Sequence, residues 1–247
     1  MPEKGLFDIH CHIIPSVDDG ADTREEAVRM LRMEYRQGVR KIIATPHFRR
    51  RMFETPLEQI KEQFEILKED AAGVAGDLEL YLGCEFHTNM EMVEMLRTGQ
   101  ITTMAGSRYV LTEFSGSSES SYIRERLYSL LSHGYRPIVA HVERYEAMRK
   151  NFSLAEEIAD MGAFIQVNAD SILGKDGFGA KRYCGKLLKA GLVHFAGSDC
   201  HGSSRRISRI GEAYDYVSRK VGKIYADRIF IENPQKILDN AKNRKGR

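Results

Sequence analysis

Seven short apolar runs recur along this chain at intervals of about 30 residues, the length of one strand-plus-helix unit. They are "GLFDIHCHI", "RKIIATPH", "LELYLGCEF", "SRYVLTEF", "RPIVAHVE", "AFIQVN" and "LVHFAGSD". Stretches with helical periodicity lie between them. "TREEAVRMLRMEYRQG" starts at Thr23 as N-cap with Glu26 as its box partner and stops at Gly38. "PLEQIKEQFEILKEDAAG" and "RISRIGEAYDYVSRKVG" read in the same way. Strands that alternate with helices require a parallel sheet. Seven such units within 247 residues predict one α/β domain, a barrel in preference to an open sheet, over about residues 5–232, followed by a short C-terminal helix and a basic tail, so that residues 1–247 form a single domain.

In such a barrel the chemistry belongs at the carboxyl ends of the strands, and the polar residues fall there. His10 and His12 end the first run, His47 the second, Glu85 the third, Glu113 the fourth and His141 the fifth, while Asp199 and His201 follow the seventh. Only the sixth, ending at Asn168, lacks an obvious ligand. Alternation along a strand sends His10 and His12 to the same side. The adjacent pair Asp18 and Asp19 in "SVDDGAD" follows them, and either carboxylate is a candidate. A lone loop histidine is more often a satisfied surface group than a ligand. Five of the eight histidines and at least three carboxylates at one end of one sheet are different, because burying so many ionisable groups without a cation is costly. Nitrogen and oxygen donors suit manganese, iron, zinc or magnesium, and nine donors exceed the needs of one tetrahedral ion. Two or three ions sharing a bridging carboxylate are expected, an arrangement that holds phosphoryl oxygens and activates water.

The other histidines read as ordinary. His194 lies before its strand end and is expected in the core. His133 falls in a helix C-terminal turn, where imidazolium suits the dipole. His87 lies close to Glu85 but is a weak candidate for a ligand. "CHGSSRR" raises a rival, since Cys200 and Arg206 have the spacing of cysteine-dependent phosphatases. Against that rival, an extended backbone that turns Asp199 and His201 to the mouth turns Cys200 away, as it turns Cys11 away between His10 and His12. Both cysteines are therefore expected as small buried groups backing the site.

A net charge of +2 gives no ground for a nucleic-acid or membrane partner. The basic stretches "FRRRMF", "SSRRISR" and "KNRKGR" read as solvated surface. Four cysteines without CxxC spacing, no secretory leader pattern and no long apolar run lead to the expectation of a cytoplasmic protein with reduced thiols and no membrane insertion.

Taken together, "DIHCHIIPSVDDGA", "ATPH", "GCEF", "LTEF", "AHVERY" and "GSDCHGSSRR" resemble the polymerase-and-histidinol-phosphatase (PHP) superfamily. Within it, "YRQGVRKIIATPH" followed by "MFETP" is similar to the bacterial manganese-dependent protein-tyrosine phosphatases of capsule and exopolysaccharide operons. The resemblance runs from about Phe7 to "ENPQKIL". It implies a distorted (β/α)7 TIM-like barrel, the PHP fold, and three divalent ions, with manganese ahead of iron, zinc and magnesium. His10, His12, Glu85 and Asp199 would hold one ion. Glu85 would bridge to a second, completed by Glu113 and His141, and Asp19, His47 and His201 would hold the third. The resemblance, not the spacing, selects Asp19 over Asp18. It also implies Arg144 and Arg206 as the catalytic phosphate-binding residues, with Arg205 as a competitor for the second role. Cysteine at both "x" positions of "HCH" and "DCH" departs from the relatives.

The implied reaction is phosphotyrosine hydrolysis by a metal-bridging hydroxide. A phenolate leaving group, with a pKa near 10, needs less proton help than an alkoxide. The implied partner is the tyrosine-rich tail of a kinase controlling polysaccharide synthesis and export; a homo-oligomer is left open. Phe48, Phe53 and Tyr145 are placed to line the ring's approach or simply to pack. Three alternatives stand beside this reading. A histidinol-phosphatase-like small-molecule phosphomonoesterase or a nuclease of the same superfamily would share the metal set. Amidohydrolases begin with HxH as well, but where they carry a bridging lysine this chain has Glu113. A metal-dependent regulator would bind phosphoprotein without turnover.

Overall fold

The computed structural model describes residues 5–245; residues 1–4 and the last two residues of the basic tail lie outside it. The strands are β1 (Leu6–Cys11), β2 (Val39–Ala44), β3 (His47–Phe48), β4 (Glu79–Leu82), β5 (Glu85–His87), β6 (Tyr109–Glu113), β7 (Arg136–Val139), β8 (Phe164–Asn168) and β9 (Phe195–Gly197). The α-helices are α1 (Arg24–Arg36), α2 (Leu57–Val74), α3 (Met92–Arg97), α4 (Ser120–Ser132), α5 (Glu146–Lys150), α6 (Ser153–Asp160), α7 (Ala169–Leu173), α8 (Phe178–Lys189), α9 (Ile210–Lys220), α10 (Lys223–Asp227) and α11 (Asn233–Lys245).

All strand pairs are parallel, in the orders β1-β2-β4 and β3-β5-β6-β7-β8-β9. Nine segments stand where seven runs were expected, because two runs are interrupted. Pro46, which has no N–H to donate, separates β2 from β3, and Gly83 and Cys84 separate β4 from β5. Pairing resumes across both breaks, with Gly83 N donating to Ala44 O at 2.7 Å and Glu85 N to Pro46 O at 3.0 Å. At the other edge Asp199 N donates to His10 O at 2.7 Å, His12 N donates to Cys200 O at 2.9 Å, and Cys11 bridges Cys200 in parallel. The sheet therefore curls until its first and last strands meet.

Helix α1 forms as its sequence dictates. Thr23 caps it by accepting from Glu26 N at 3.2 Å, and Gly38, at φ +88°, reverses the chain after it. The reciprocal half of the capping box is absent, because the Glu26 carboxylate is taken by Arg29 and by the N–H and hydroxyl of Ser203. The buried stripe of α1 is Ala27, Met30, Leu31 and Glu34, a helical repeat that is apolar except for its last member. The helix after the seventh run is shorter than expected. Helix α9 begins at Ile210, so Ser203, Ser204 and Arg206 lie in the loop before it and no serine caps it. Helix α11 follows a π-helical turn at Arg228–Glu232 and carries the C-terminal helix to Lys245.

Candidate metal centre

The carboxylate of Glu85, the first residue of β5, is the hub of the site. Its oxygens lie 3.1 Å from His10 Nε2, 3.2 Å from His12 Nε2, 3.0 Å from His47 Nδ1 and 2.8 Å from His141 Nε2. Strand alternation brings His10 and His12 together with Nε2 atoms 3.2 Å apart. Asp199, just past β9, puts Oδ1 3.5 Å from each of those Nε2 atoms. Glu113 ends β6 with Oε1 3.9 Å from His141 Nε2. Asp19 puts Oδ1 3.5 Å from His47 Nε2 and 3.4 Å from His201 Nε2. Ligand atoms thus converge in three overlapping groups: His10, His12, Glu85 and Asp199; His47, Glu85 and Glu113; His12, Asp19, His47 and His201. All nine side chains singled out in the sequence meet at one end of the sheet.

The adjacent aspartates divide their tasks. The Asp18 side chain is 1% exposed, bonds His12 Nδ1 at 2.8 Å and accepts from His47 N at 2.9 Å. It orients, while the Asp19 side chain, 49% exposed, faces the convergent nitrogens. The turn that carries them folds back on β1, and Gly20 makes this possible. A Cβ there would lie 2.1 Å from His12 O, inside contact distance.

The sixth run, which offered no ligand, supplies the amides that orient the others. Gln166 on β8 places Oε1 3.3 Å from His10 Nδ1 and accepts from His141 N at 2.8 Å, and its Nε2 donates to Asn168 Oδ1 at 2.8 Å. Asn168 Nδ2 donates in turn to Asp199 Oδ2 at 2.9 Å. With Nδ1 of His10 held by Gln166, Nδ1 of His12 by Asp18 and Nδ1 of His201 by the Asp199 carbonyl at 2.9 Å, each ring keeps Nε2 for the centre. Gln166 and Asn168 were not singled out in the sequence; their positions at a strand end were the only signal.

Both arginines reach the centre by the same carboxylate. Arg144 Nη1 lies 2.6 Å from Asp199 Oδ2, and Arg206 Nη2 donates to Asp199 Oδ1 at 3.0 Å. Neither pairs with Glu143 or Glu212. Arg206 is not at a helix start, as its sequence position had implied, but on the loop before α9, at φ +44°. His141 and Asp199 also hold left-handed backbone, at φ +30° and +53°. Such conformations are costly for residues with a Cβ and concentrate at functional sites. Arg205 is exposed, and the hydrogen bond to Asp199 comes from its neighbour.

Mutual electrostatics are strong. Burial alone would raise Glu85, but His10, His12 and His141 hold it well below the usual carboxylate range. Burial would likewise raise Asp199, which His10 and Arg144 pull far down. Its hydrogen bond with His201 takes Asp19 to about 2. Burial and the Glu85 charge push Glu113 up to about 7. Burial opposes charge on His10 and His12, yet Glu85 and Asp199 raise the first and Asp18 and Glu85 the second. Burial and the nearby His12 push His201 down to about 4.

The donor set fits divalent cations. Glu85 Oε2, Glu113 Oε2 and His47 Nδ1 are all buried without a hydrogen bond of proper direction, although His47 Nδ1 and Glu85 Oε2 stand 3.0 Å apart. Lone pairs that converge without bonding one another are what a set of ligands presents.

The remaining sequence candidates take ordinary places. His87 bonds Ser115 at 3.1 Å outside the three groups, His133 caps α4 through Ser129 O at 2.8 Å, and His194, half-buried, accepts from Ile165 N at 3.1 Å. Tyr145 is buried and its hydroxyl accepts from Phe114 N, and Phe48 packs edge-on against Phe86. Phe53 stacks on His47 with centroids 5.0 Å apart, and the Tyr145 ring meets His141 edge-on at 5.7 Å. Cys200 is buried with its sulfur 3.2 Å from that of Cys11, on the side of the strands away from the histidines, so no phosphate loop forms around it.

Residues 6–239 match the family described as capsular polysaccharide synthesis, CpsB/CapC. This chain belongs to the CpsB/CapC family. It is 39% identical over 241 residues to the tyrosine-protein phosphatase CpsB of Streptococcus pneumoniae, covering 94% of this chain and 98% of that protein. It is 31% identical over 235 residues to the tyrosine-protein phosphatase YwqE of Bacillus subtilis, covering 95% and 92%. A crystal structure from work on YwqE and CpsB, described as unique metal-dependent tyrosine phosphatases, superposes with a TM-score of 0.83 at 30% identity, over 96% of this chain and 92% of that one. The phosphotriesterase homology protein of Escherichia coli shares the fold, with a TM-score of 0.63 at 13% identity over 96% of this chain and all of that one.

Proposed function

We infer that this chain is a metal-dependent protein-tyrosine phosphatase acting in the control of capsular or related polysaccharide synthesis. The observation that carries the reading is Glu85 standing within 3.2 Å of four imidazoles, in a family whose named members are tyrosine-protein phosphatases. The ligands are His10, His12, Glu85 and Asp199 for one ion, Glu85, Glu113 and His141 for a second that Glu85 bridges, and Asp19, His47 and His201 for a third, and manganese is the ion expected in each. The substrate is a phosphotyrosine protein, with the tyrosine-rich tail of a polysaccharide-controlling kinase as the partner of choice. The whole chain acts as one domain in the cytoplasm; no helix among the described residues is long and apolar enough to cross a membrane. The curled sheet is read as a (β/α)7 barrel in which β2 with β3, and β4 with β5, are single interrupted strands.

Divalent ions at these ligands supply Lewis acidity to a phosphoryl group and lower the pKa of water. The chain's own contribution is placement. Gln166 and Asp18 fix the tautomers and ring planes of His10 and His12. Arg144 and Arg206, whose side chains are 40% and 45% exposed, offer donors from the rim of Asp199 to phosphoryl oxygens. Phe53 beside His47 offers an apolar wall for an aryl ring.

The test is hydrolysis of phosphotyrosine and phosphoserine peptides by protein stripped with a chelator and reloaded with single metals. Manganese restores activity on phosphotyrosine above magnesium, and phosphoserine is turned over poorly. Full activity in stripped protein, or equal rates on both peptides, would overturn the reading.

A further inference from the structure

The other side of the β1–β9 seam carries a second convergence of donors that the phosphatase centre does not use. Cys11 and Cys200 form the parallel bridge of the seam and turn towards α1, with sulfurs 3.2 Å apart. Cys200 Sγ lies 3.6 Å from Glu34 Oε1. Asp8 completes the group, and the four residues offer ligand atoms that all lie within 4.8 Å of one another. None of the four is exposed by more than 1%. Glu34 is the one polar member of the buried stripe of α1, and its Oε2 has no hydrogen-bond partner. Asp8 accepts from His10 N at 3.2 Å, from Ser198 N at 2.9 Å and from the Ser198 hydroxyl, and no cationic side chain is among these partners.

We propose that Cys11, Cys200, Glu34 and Asp8 form a further metal site, a four-coordinate thiolate–carboxylate site for zinc that ties α1 to the seam between the first and last strands. Two carboxylates and two thiols converge in a dry pocket with one carboxylate oxygen unpartnered, and a cation is the ligand that would take up all four donors at once. Sulfur donors with a short reach and tetrahedral number select zinc over the harder ions suited to the nitrogen–oxygen centre. On binding, both thiols give their protons to solvent and each sulfur donates a lone pair to the ion; nothing is oxidised or reduced. Strand alternation makes the two sites back to back. The residues flanking each cysteine serve one centre, and the cysteines serve the other.

Cobalt(II) separates the two classes of site, because only thiolate ligation gives a near-ultraviolet sulfur-to-cobalt charge-transfer band. Metal-stripped protein with all four thiols shown to be reduced is loaded to saturation with cobalt(II) and examined by absorption and by X-ray absorption at the cobalt edge. The expected result is the charge-transfer band and cobalt–sulfur scattering in the natural protein. The double variant Cys11→Ser, Cys200→Ser loses both and binds one fewer ion per chain. Glu34→Gln keeps both thiols but holds this cobalt at least about tenfold more weakly, the scale of a lost contact to a metal centre. A saturated natural protein with neither band nor sulfur scattering overturns the proposal, and that measurement stands even if the double variant fails to fold. Isolation of the chain with a Cys11–Cys200 disulfide that must be reduced before any metal binds overturns it equally.

Discussion

Arg144 and Arg206 hold the two oxygens of Asp199 from opposite ends, Nη1 of the first 2.6 Å from Oδ2 and Nη2 of the second 3.0 Å from Oδ1. Both guanidinium groups are thereby fixed at the rim of the centre while nearly half of each side chain still meets solvent. Their planar forks have further donors to offer a phosphoryl group. Arg144→Ala and Arg206→Ala are each expected to lower kcat/KM on a phosphotyrosine peptide on the order of 10²-fold, the scale of one lost transition-state donor. Metal content stays near that of the natural protein. Arg205→Ala and Arg51→Ala, on equally basic stretches, cost less than about tenfold. Steady-state kinetics on the four variants decide the matter, and an Arg205→Ala variant more damaged than Arg206→Ala would reverse the assignment.

Gln166 touches two of the imidazole-bearing residues and donates no ligand. Gln166→Leu leaves His10 Nδ1 and His141 N without their acceptor. Metal affinity is expected to fall about 10- to 100-fold, as for other groups that hold a ligand in place. At saturating metal much of kcat returns, because the ligand atoms are all present. Metal titration by calorimetry measures the first effect and kinetics at high manganese the second. A variant with natural metal affinity would remove Gln166 from this role.

The division between the adjacent aspartates predicts opposite behaviours. Asp19→Ala removes a donor from the group containing His47 and His201 and should lower the number of ions bound per chain by one, by elemental analysis. Asp18→Asn keeps every donor but weakens the hold on His12 Nδ1, so the stoichiometry is preserved and the affinity falls. An Asp18 variant that loses an ion while the Asp19 variant keeps it would exchange their roles.

The stripped protein has a distinctive pH response. His10 and His12 are raised above the ordinary imidazole value of 6.5 by Glu85 with Asp199 and by Asp18 with Glu85, in spite of burial. Their contribution to stability is therefore fully present below 6.5 and lost as pH rises through the raised values. Glu113, raised to about 7 by burial and Glu85, acts in the same direction, since its unfolded form ionises from about 4.5 upward. The Tm of stripped protein should fall between about pH 6 and pH 8. Bound ions require these imidazoles neutral and Glu113 ionised, so the gap between loaded and stripped Tm should widen over the same interval. Scanning calorimetry across that range tests this; a gap that narrows with pH contradicts it.

Strand ends were legible because two periodicities coincide: apolar runs mark each βα unit, and alternation within "HCH" and "DCH" separates the residues facing the mouth from those behind them. The strand breaks at Pro46 and at Gly83 with Cys84 were not, because pairing continues across them through single hydrogen bonds that leave no trace in hydrophobicity. The first turn of α9 was overestimated for a related reason. "SSRRIS" carries good capping residues, but Ser203 is claimed by Glu26 and Arg206 by Asp199, so the chain stays irregular until Ile210. Asp18 and Asp19 differ only in which way each points. Gln166 and Asn168 looked like ordinary polar residues closing a strand, and their function exists only through partners from β1, β7 and β9.

The seam between β1 and β9 joins residues 189 positions apart. A ribosome that has released the first strand holds His10 and His12 long before Asp199 and His201 exist, and a nascent chain can offer only part of the donor set. Capture of an ion by the groups that include Asp199 or His201 would therefore report that the ring has closed. A truncated or prematurely released chain would be a poor metal binder as well as a poor enzyme, and the free energy of binding favours the closed form over every open one.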